Sequence, residues 1–434
     1  MVAIELEAEL RQGARTDQVH VIGPEGFIAS SKDQNFGTHF ARDAAIQGKF
    51  ALEVIRANPK SGENPQLLVA IKNSLQTMAK YQGTKVDPQR DEEPGKIAHE
   101  VRFDNFPRNQ EWLSLLKRAG WAVDGEEGAL SMRYYGSVDA TPLFVELAVD
   151  YLEFTNDIQF AEEIDPHIRS ALSWMENYGD KDGDSFLEFS ARNRLALLNQ
   201  GWKDSGNSIE DKNGTRPKEP IALVEVQGYE YSAYLKSANY YREKGDIDFA
   251  ANLYRRAGIL KDRFNSEFWM PDEGYFAYAL DGEKRPILEV TSNAGHLLLS
   301  GIVDEEKLPK VVSRLMQPDM LTKSGIRTLS SKSPFFKPRD PEGYHNGSYW
   351  TFDNTLIYLG LVKNGFLKEA EAVRDANLYA LGELKHKFGI AEPELYLSDE
   401  NDEPIPYPSA QKPQGWTIQA IRVMTETQPE LLAA

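Results

Sequence analysis

Residues 221–244, IALVEVQGYEYSAYLKSANYYREK, predict a helix with apolar and aromatic side chains on several sides. Such a helix is enclosed by neighbouring elements, because it has no polar face to turn towards water. Residues 157–178 predict a different helix, in which the apolar positions follow the three- and four-residue spacing of one buried face. The chain therefore predicts a helical protein with at least one enclosed helix.

Helical periodicity continues through most of the chain after residue 40. The other predicted helices cover residues 42–57, 64–81, 109–118, 138–155, 246–266, 290–300, 303–316, 348–363, 366–384 and 412–425. Residues 1–40 instead contain short alternating runs, including residues 18–22, and predict a strand or lead-in segment.

The connections between the predicted helices alternate in character. Short, charged connections occur at residues 155–156 and 243–245. Long connections rich in glycine, aromatic and acidic residues cover 82–108, 119–136, 179–220, 267–289, 317–347 and 385–411. Helix pairs with tight turns at one end and long loops at the other predict an all-α (α/α)6 barrel, a six-hairpin toroid with short β segments in its loops and at the N-terminus. It would form one domain over residues 41–434 after the segment 1–40; a two-domain all-α protein is the alternative.

Composition limits the class of ligand. The chain has 434 residues, 41% hydrophobic and 11% aromatic, which is ample for a large core. Its net charge of −18 argues against nucleic-acid or anionic-membrane partners and favours a neutral or cationic ligand. The absence of cysteine excludes disulfides and thiolate chemistry. Since we find neither an apolar run near ~18 residues nor a signal-peptide core, we expect a cytoplasmic protein.

Residues 199–207, NQGWKDSGN, place one carboxylate, Asp204, beside Trp202 and Lys203. A sugar ring needs such surroundings: an indole against its C–H face, charged partners for its hydroxyls and an acid for its glycosidic oxygen. The alternative is an Asp204 that caps the helix after Gly206, with a buried Trp202. From these residues alone the two interpretations have equal weight.

Several polar residues elsewhere have both a structural and a ligand-binding interpretation. The pair Arg42-Asp43 stands at a helix start, where it is either a cap with a salt bridge or a contact for a sugar. Residues 91–102, DEEPGKIAHEVR, are either a solvated run of charges or a binding loop. In residues 134–142, YYGSVDATP, Asp139 is an acid at a helix start or a ligand for a hydroxyl. Glu225 and Gln227 interrupt an apolar run and need partners, because burying them unpaired is costly.

Residues 343–354, GYHNGSYWTFDN, form a second distinctive stretch. Trp350 is a candidate stacking platform, Asp353 a hydroxyl acceptor, and His345 and Asn346 candidate donors. The alternative is an aromatic-rich start of a helix. A second carboxylate for glycoside chemistry is available in residues 390–396, IAEPELY, which offer two glutamates.

The acidic run DKDGD at residues 180–184 suggests calcium, but its spacing argues against an EF-hand. Glycine stands at position 4 of the run instead of position 6, and Ala191 occupies position 12, where glutamate is required. We therefore predict a turn stabilised by aspartate side chains, and no metal or cofactor.

Six motifs of the chain resemble, in the same order, those of a known enzyme family. They are ARD (41–43), EEPGKI (92–97), YYGSVDATP (134–142), NQGWKDS (199–205), GYHNGSYW (343–350) and PELY (393–396). They are similar to the amylo-α-1,6-glucosidase, or glycogen-debranching-type, glycoside hydrolases of the six-hairpin glycosidase superfamily. The resemblance extends from about residue 41 to Trp416, which resembles the closing aromatic residue of that family. It implies hydrolysis of an α-glucosidic bond with inversion, with Asp204 as general acid and Glu394, rather than Glu392, as general base. Inversion requires the two carboxyl groups to be ~6.5–9.5 Å apart.

The resemblance also implies a set of substrate contacts. They are Arg42, Asp43, Glu100, Tyr135, Asp139, Trp202, Lys203, Glu225, Gln227, His345, Asn346, Trp350, Asp353 and Trp416.

Several positions depart from the family's pattern, among them Phe40, Asn207 and Phe352, where Trp, Asp and His are usual. We expect no counterpart of the β-rich domain that precedes the barrel in larger members. A small α-glucoside or short oligosaccharide is therefore as plausible a substrate as a glycogen branch. Two other functions stay open, namely an inverting disaccharide phosphorylase and a carbohydrate-binding protein without turnover.

Overall fold

A computed structural model of the chain describes residues 2–103, 107–126, 129–211, 213–339 and 341–427. Within these residues there are thirteen α-helices. They are α1 Val2–Asp17, α2 Ala41–Ala57, α3 Asn64–Lys80, α4 Pro107–Ala119, α5 Ala140–Thr155, α6 Ile158–Trp174, α7 Val224–Glu243, α8 Ile247–Glu267, α9 Leu297–Ser300, α10 Leu308–Leu315, α11 Thr351–Lys363, α12 Leu367–Phe388 and α13 Gly415–Glu426.

The strands are short, none longer than four residues in the described chain. They are β1 Ile22–Gly23, β2 Gly26–Phe27, β3 His39–Phe40, β4 Glu100–Phe103, β5 Val123–Asp124, β6 Ser131–Tyr134, β7 Ala222–Leu223, β8 Trp269–Met270, β9 Tyr275–Phe276, β10 Ala279–Leu280, β11 Pro286–Ile287, β12 Leu321–Thr322, β13 Gly325–Ile326, β14 Tyr396–Ser398 and β15 Pro404–Pro406.

Alternate helices contact one another in a cyclic order. Helix α2 contacts α5, α5 contacts α7, α7 contacts α9, α9 contacts α11, α11 contacts α13, and α13 contacts α2 again. The helices between them in sequence pack against members of this cycle: α3 against α2 and α5, α6 against α5, α8 against α7, and α12 against α11. The protein is therefore a helix-rich fold in which one set of helices is enclosed by another.

The burial of individual helices agrees with the two patterns in the sequence. Helix α7 is buried continuously from Val224 to Tyr234, as a helix enclosed by others must be. Helix α6 buries one face, through Phe160, Ile164 and Ile168, and leaves the opposite face towards water. All twelve predicted helices are present, although the one predicted at 290–300 is a 3₁₀ turn, Ser292–His296, followed by the short α9.

The N-terminal prediction was confirmed in part: residues 1–40 contain the short strands β1, β2 and β3, but they begin with a helix that was not predicted. Val2–Asp17 is helix α1 and Gln18–Val21 is a 3₁₀ turn, so that of residues 18–22 Ile22 alone lies in a strand, β1. In α1 the buried apolar residues, Leu10 and Ala14, repeat at a spacing of four and pack in one cluster with residues of α12 and α13. This narrow stripe is easily missed in an otherwise charged segment. A domain boundary at residue 40 stays a prediction.

Two of the long predicted loops, 82–108 and 119–136, contain strands of the largest sheet. Its order is β3-β4-β6-β5, with all neighbours antiparallel. Glu100 lies opposite Tyr134, and Arg102 opposite Met132. Because side chains alternate along a strand, these four residues lie on one face of the sheet.

In the described part of the chain, no helix combines the length and apolar character needed to cross a membrane.

Candidate active site

A cavity of about 270 Å³ lies at the N-terminal ends of α2, α11 and α13. Arg42 and Asp43 belong to the first turn of α2, Trp350 immediately precedes α11, and Trp416 is in the first turn of α13. Nine predicted site residues line this cavity: Arg42, Asp43, Glu100, Trp202, Asp204, His345, Trp350, Glu394 and Trp416. The structure thus brings the two predicted catalytic carboxyl groups to one cavity.

Asp204 follows Trp202 and Lys203 in an irregular segment and keeps 33% of its side chain exposed. Its carboxylate lies 3.8 Å from Arg42 Nη1. Arg42 is itself held by Asp139, at 2.7 Å from Nε, and donates from Nη2 to the carbonyl oxygen of Gly201 at 2.9 Å. Loss of solvation raises the pKa of Asp204 to about 6, even though the Arg42 charge opposes the shift.

Glu394 is 4% exposed and is held by two hydrogen bonds. Tyr344 donates its hydroxyl to Oε1 at 2.7 Å, and the backbone N–H of Gln411 donates to Oε2 at 3.1 Å. Burial raises the pKa of Glu394 to about 7, and the nearby Asp204 charge acts in the same direction. The two donors oppose this shift, because they stabilise the carboxylate.

The neighbouring Glu392 lies outside the described lining of the cavity. Burial and the carboxylate of Asp17 raise its pKa to about 8. Of the two glutamates, Glu394 is thus the one among the described lining residues of the cavity.

A third carboxyl group, Asp43, shares the cavity. Burial raises its pKa to about 8, with further contributions from Glu394 and Asp204. Gln414 donates to its Oδ1 at 3.3 Å. At neutral pH Asp43 is therefore mostly protonated and can donate a hydrogen bond to a hydroxyl.

Aromatic rings form one side of the cavity. Trp202 meets Trp350 edge to face at a centroid distance of 5.6 Å and His345 at the same distance. Trp416 contacts Trp350 at 5.7 Å and stacks on Phe352 at 4.0 Å. Rings packed in this way hold each other in place and offer flat apolar surface to a sugar.

Seven predicted contact residues lie outside the described lining of the cavity: Tyr135, Asp139, Lys203, Glu225, Gln227, Asn346 and Asp353. Gln227 bonds the backbone N–H and carbonyl of Leu187 at 3.0 and 2.9 Å, and Tyr135 donates to the carbonyl of Tyr81 at 2.8 Å. These contacts give both residues a structural role, and their contact with substrate stays a prediction.

The remaining residues of this group are buried. Asp353 accepts from His296 at 2.7 Å, and the other ring nitrogen of His296 is 2.6 Å from the Tyr229 hydroxyl. Lys203 donates to the carbonyl of Thr328 at 2.6 Å, and burial lowers the pKa of its ammonium group. Burial likewise raises the pKa of Glu225. Asn346 donates to the carbonyl of Asn207 at 2.8 Å.

The sequence interpretation did not identify two groups of lining residues. The first group is Tyr344 and Gln414, which donate hydrogen bonds to Glu394 and Asp43. Tyr344 belongs to the distinctive stretch 343–354 and could have been found there. The second group is mainly aromatic and aliphatic: Phe36, Phe40, Trp112, Leu116, Trp121, Met132, Tyr134 and Leu197. Tyr134 begins the motif YYGSVDATP and Phe40 directly precedes ARD, whereas the other residues are scattered between 36 and 197 without a motif, so that only the fold brings the group together.

The acidic loop is an aspartate-stabilised turn, as predicted. Asp180 accepts the backbone N–H groups of Gly183, Asp184 and Ser185 at 2.7–3.0 Å. Oxygens of Asp180, Asp182, Asp184 and Glu188 lie within 4.8 Å of one another. The ammonium group of Lys284 contacts three of these four carboxylates. A cation of the chain itself thus offsets part of the negative charge of the cluster.

Comparison with known protein families identifies the family of this chain. The family model of the mannosylglycerate hydrolase MGH1-like glycoside hydrolase domain matches residues 200–417, about half of the chain. The chain belongs to this family. The matched segment of this MGH1-like domain contains Asp204, Glu394 and Trp416. The predicted glycoside hydrolase class is therefore confirmed, and the amylo-α-1,6-glucosidase type stays a prediction.

Two solved structures have a fold similar to that of this MGH1-like glycoside hydrolase. The GH63 mannosylglycerate hydrolase from Thermus thermophilus, in complex with Tris, is similar with a TM-score of 0.64 and 12% identity over 95% of this chain and 99% of that chain. An uncharacterized conserved protein from the same organism is similar with a TM-score of 0.63 and 13% identity over 96% and 99%. At these identities the similarity shows the fold alone. No curated protein sequence matches the chain.

Proposed function

We propose that the chain is an (α/α)6-barrel glycosidase that hydrolyses small α-glucosides with inversion of the anomeric centre. Asp204 is the general acid and Glu394 the general base. The main support is the meeting of these two carboxyl groups in one cavity with a tryptophan-rich wall. The cyclic order of helix contacts supports the barrel, and membership of a glycoside hydrolase family supports the reaction class.

In the proposed reaction Asp204 transfers its proton to the glycosidic oxygen as the bond to the anomeric carbon breaks. Glu394 removes a proton from a water molecule that attacks this carbon from the opposite face. The products are a neutral alcohol and a sugar of inverted anomeric configuration. Tyr344 and the Gln411 N–H fix the Glu394 carboxylate, and Arg42 lies beside that of Asp204.

The proton must reside on Asp204 when the substrate is bound. In the free site the pKa of Glu394, about 7, is above that of Asp204, about 6. A bound sugar would cover the exposed third of Asp204 and remove its remaining water, which raises its pKa. Glu394 keeps its two donors, which stabilise its charged form. Substrate binding therefore favours a protonated Asp204 and an ionised Glu394.

The pH dependence of kcat/KM follows from these two groups. Activity needs one proton on the pair, so it is lost when both groups are protonated and when both are ionised. We expect a bell-shaped profile with an acid limb near pH 6 and an alkaline limb near pH 7, since these are the pKa values of the free site. Initial rates at low substrate concentration between pH 4 and 9 test this. A profile that is flat between pH 5 and 8 would contradict the assignment.

The size of the cavity favours a small substrate. Its volume of about 270 Å³ is below the ~300–1,000 Å³ typical of pockets for drug-sized ligands. A second candidate activity is the hydrolysis of a mannosylglycerate, which the name of the matching family favours. We further propose that turnover needs no metal or cofactor and that the net charge of −18 excludes nucleic-acid partners.

A hydrolysis screen tests the proposed function. The panel contains α-1,4, α-1,6, α-1,2 and α-1,1 glucosides, sucrose, alkyl α-glucosides and α-mannosides, and glucosyl- and mannosylglycerate. We expect release of free glucose from a small α-glucoside without added phosphate. Release of a sugar phosphate that requires phosphate would indicate a phosphorylase, and binding without turnover a carbohydrate-binding protein.

A further inference from the structure

A second cavity, of about 530 Å³, lies at the end of the enclosed helices opposite to the candidate active site. This rear cavity is formed by side chains of α2, α5, α7 and α11, among them Lys49, Glu146, Lys236 and Lys363. Lys49 belongs to the second half of α2 and Lys363 is the last residue of α11, whereas the active-site cavity lies at the N-terminal ends of these two helices. No described residue lines both cavities.

One layer of side chains separates the two cavities. His296 lines the rear cavity, and its ring stacks on Trp202, which lines the active-site cavity, at a centroid distance of 6.2 Å. Tyr229 also lines the rear cavity, and its hydroxyl lies 2.6 Å from Nδ1 of His296. A ligand in the rear cavity would therefore leave the active-site cavity open.

The buried carboxyl group of Glu146 lines the rear cavity with two donors on one oxygen and none on the other. Lys49 donates to Oε2 at 2.8 Å, and Ser232 donates to the same oxygen at 2.9 Å. Oε1 has no hydrogen-bond partner among the described residues, although Glu146 is 2% exposed. A buried carboxylate oxygen without a donor is costly. A ligand that carries a hydroxyl group could supply this donor.

The basic side chains of the rear cavity outnumber its carboxyl groups. Among the described lining residues, the basic side chains are Lys49, Arg56, Lys236 and Lys363, and the carboxyl groups are those of Glu53, Glu146 and Asp150. Lys49 pairs with Glu146, Lys236 with Asp150, and Arg56 with Glu53. One basic side chain, Lys363, is left without a counter-charge.

Lys363 donates a hydrogen bond to the carbonyl oxygen of Leu299 at 2.8 Å. No carboxylate oxygen of the described residues lies within 4.0 Å of its Nζ. Burial lowers the pKa of the Lys363 ammonium group, and the charge of Lys236 acts in the same direction. An anionic ligand would relieve this repulsion and form a charge-assisted hydrogen bond with Lys363. The local excess of positive charge is opposite in sign to the net charge of −18 of the whole chain.

We propose that the rear cavity binds a small polyhydroxylated monoanion, such as a sugar acid. Its carboxylate accepts a hydrogen bond from Lys363, and one of its hydroxyl groups donates to Oε1 of Glu146. A single carboxylate matches the single basic group without a counter-charge. The volume of about 530 Å³ lies within the ~300–1,000 Å³ typical of pockets for small molecules. This site is independent of the reaction proposed for Asp204 and Glu394.

Calorimetry with three related probes tests the proposal. D-Gluconate carries a carboxylate and hydroxyl groups, D-glucitol lacks the carboxylate, and hexanoate lacks the hydroxyl groups. We expect gluconate to bind the wild-type protein at least ~10-fold more tightly than either of the other two, because each of them loses one hydrogen bond to a charged group.

Variants assign the binding to the rear cavity. Lys363→Gln should weaken the binding of gluconate at least ~10-fold and remove its advantage over glucitol. Lys261→Gln is the matched control, because Lys261 likewise donates to a backbone carbonyl, that of Gly301 at 2.9 Å, but lies outside the described lining of the cavity. This control should keep the wild-type affinity.

Glu146→Gln tests the second contact. With its amide oxygen facing Lys49 and Ser232, the glutamine presents an N–H group in place of Oε1 and cannot accept from a hydroxyl group. We expect this variant to lose the advantage of gluconate over hexanoate. If it does not fold, Lys363→Gln still decides the question, since it removes no ion pair from the described residues.

The absence of gluconate binding up to ~20 mM, or equal affinities for the three probes, would overturn the inference. A gluconate affinity that Lys363→Gln leaves unchanged would also overturn it, because the ligand would then bind elsewhere. Hydrolysis of glycosides is measured without gluconate, so that a failure of this proposal and a failure of the proposed function are observed separately.

Discussion

Replacing Asp204 by Asn is expected to lower kcat on alkyl α-glucosides by at least ~10²-fold, the low end of general acid contributions. An amide keeps the size of the side chain but cannot transfer a proton to an alkoxide leaving group. The variant should fold, because Arg42 keeps Asp139 and the Gly201 carbonyl as partners. Its thermal unfolding midpoint should lie within a few degrees of the wild type.

The leaving group distinguishes loss of the acid from damage to the site. α-Glucosyl fluoride and dinitrophenyl α-glucoside need little protonation, so Asp204→Asn should retain much more of its activity on them than on the alkyl glucosides. An equal loss on all of these substrates would mean that Asp204 positions the sugar and is not the acid.

Replacing Glu394 by Gln is expected to lower kcat by a similar factor, because it removes the base that activates the attacking water. Without the carboxylate, the attacking water keeps its proton, and a better leaving group does not help. Azide should partly restore turnover, because it is already an anion and needs no base. The expected product is β-glucosyl azide, identified by NMR.

Glu392→Gln is the matched control for this variant. Glu392 is two residues away and 3% exposed, against 4% for Glu394, but it lies outside the described lining of the cavity. We expect its kcat to stay within a few-fold of the wild type. A large loss for Glu392→Gln with an active Glu394→Gln would reverse the assignment of the base.

The helices were predicted well from the sequence, because a buried helix face produces a periodic pattern of apolar residues. Helices α6 and α7 show this most clearly, the first with one apolar face and the second with apolar residues on all sides. Helix α1 was missed because its buried residues form a stripe one residue wide. Short β segments in the loops were predicted, but the positions of β4 and β6 were not, because each has four residues, too few for an alternating pattern to stand out.

The candidate site was predictable where its residues occur in compact motifs. Asp204 and Glu394 were identified in this way, and the structure places both in one cavity. The partners of a polar residue cannot be predicted from its neighbours in sequence. Gln227, whose contact with a sugar stays a prediction, forms a hydrogen bond with the backbone of Leu187, forty positions away. Most of the aromatic and aliphatic lining residues were not predicted for the same reason, since they meet through tertiary structure.

The anomeric configuration of the first product tests the central claim most directly. An α-glucoside that the screen identifies is hydrolysed in an NMR tube, and spectra are recorded before the released sugar equilibrates. Two carboxyl groups that act through an intervening water should release the β-anomer first. Initial release of the α-anomer would mean retention through a covalent intermediate, and would contradict the role of Glu394 as a base.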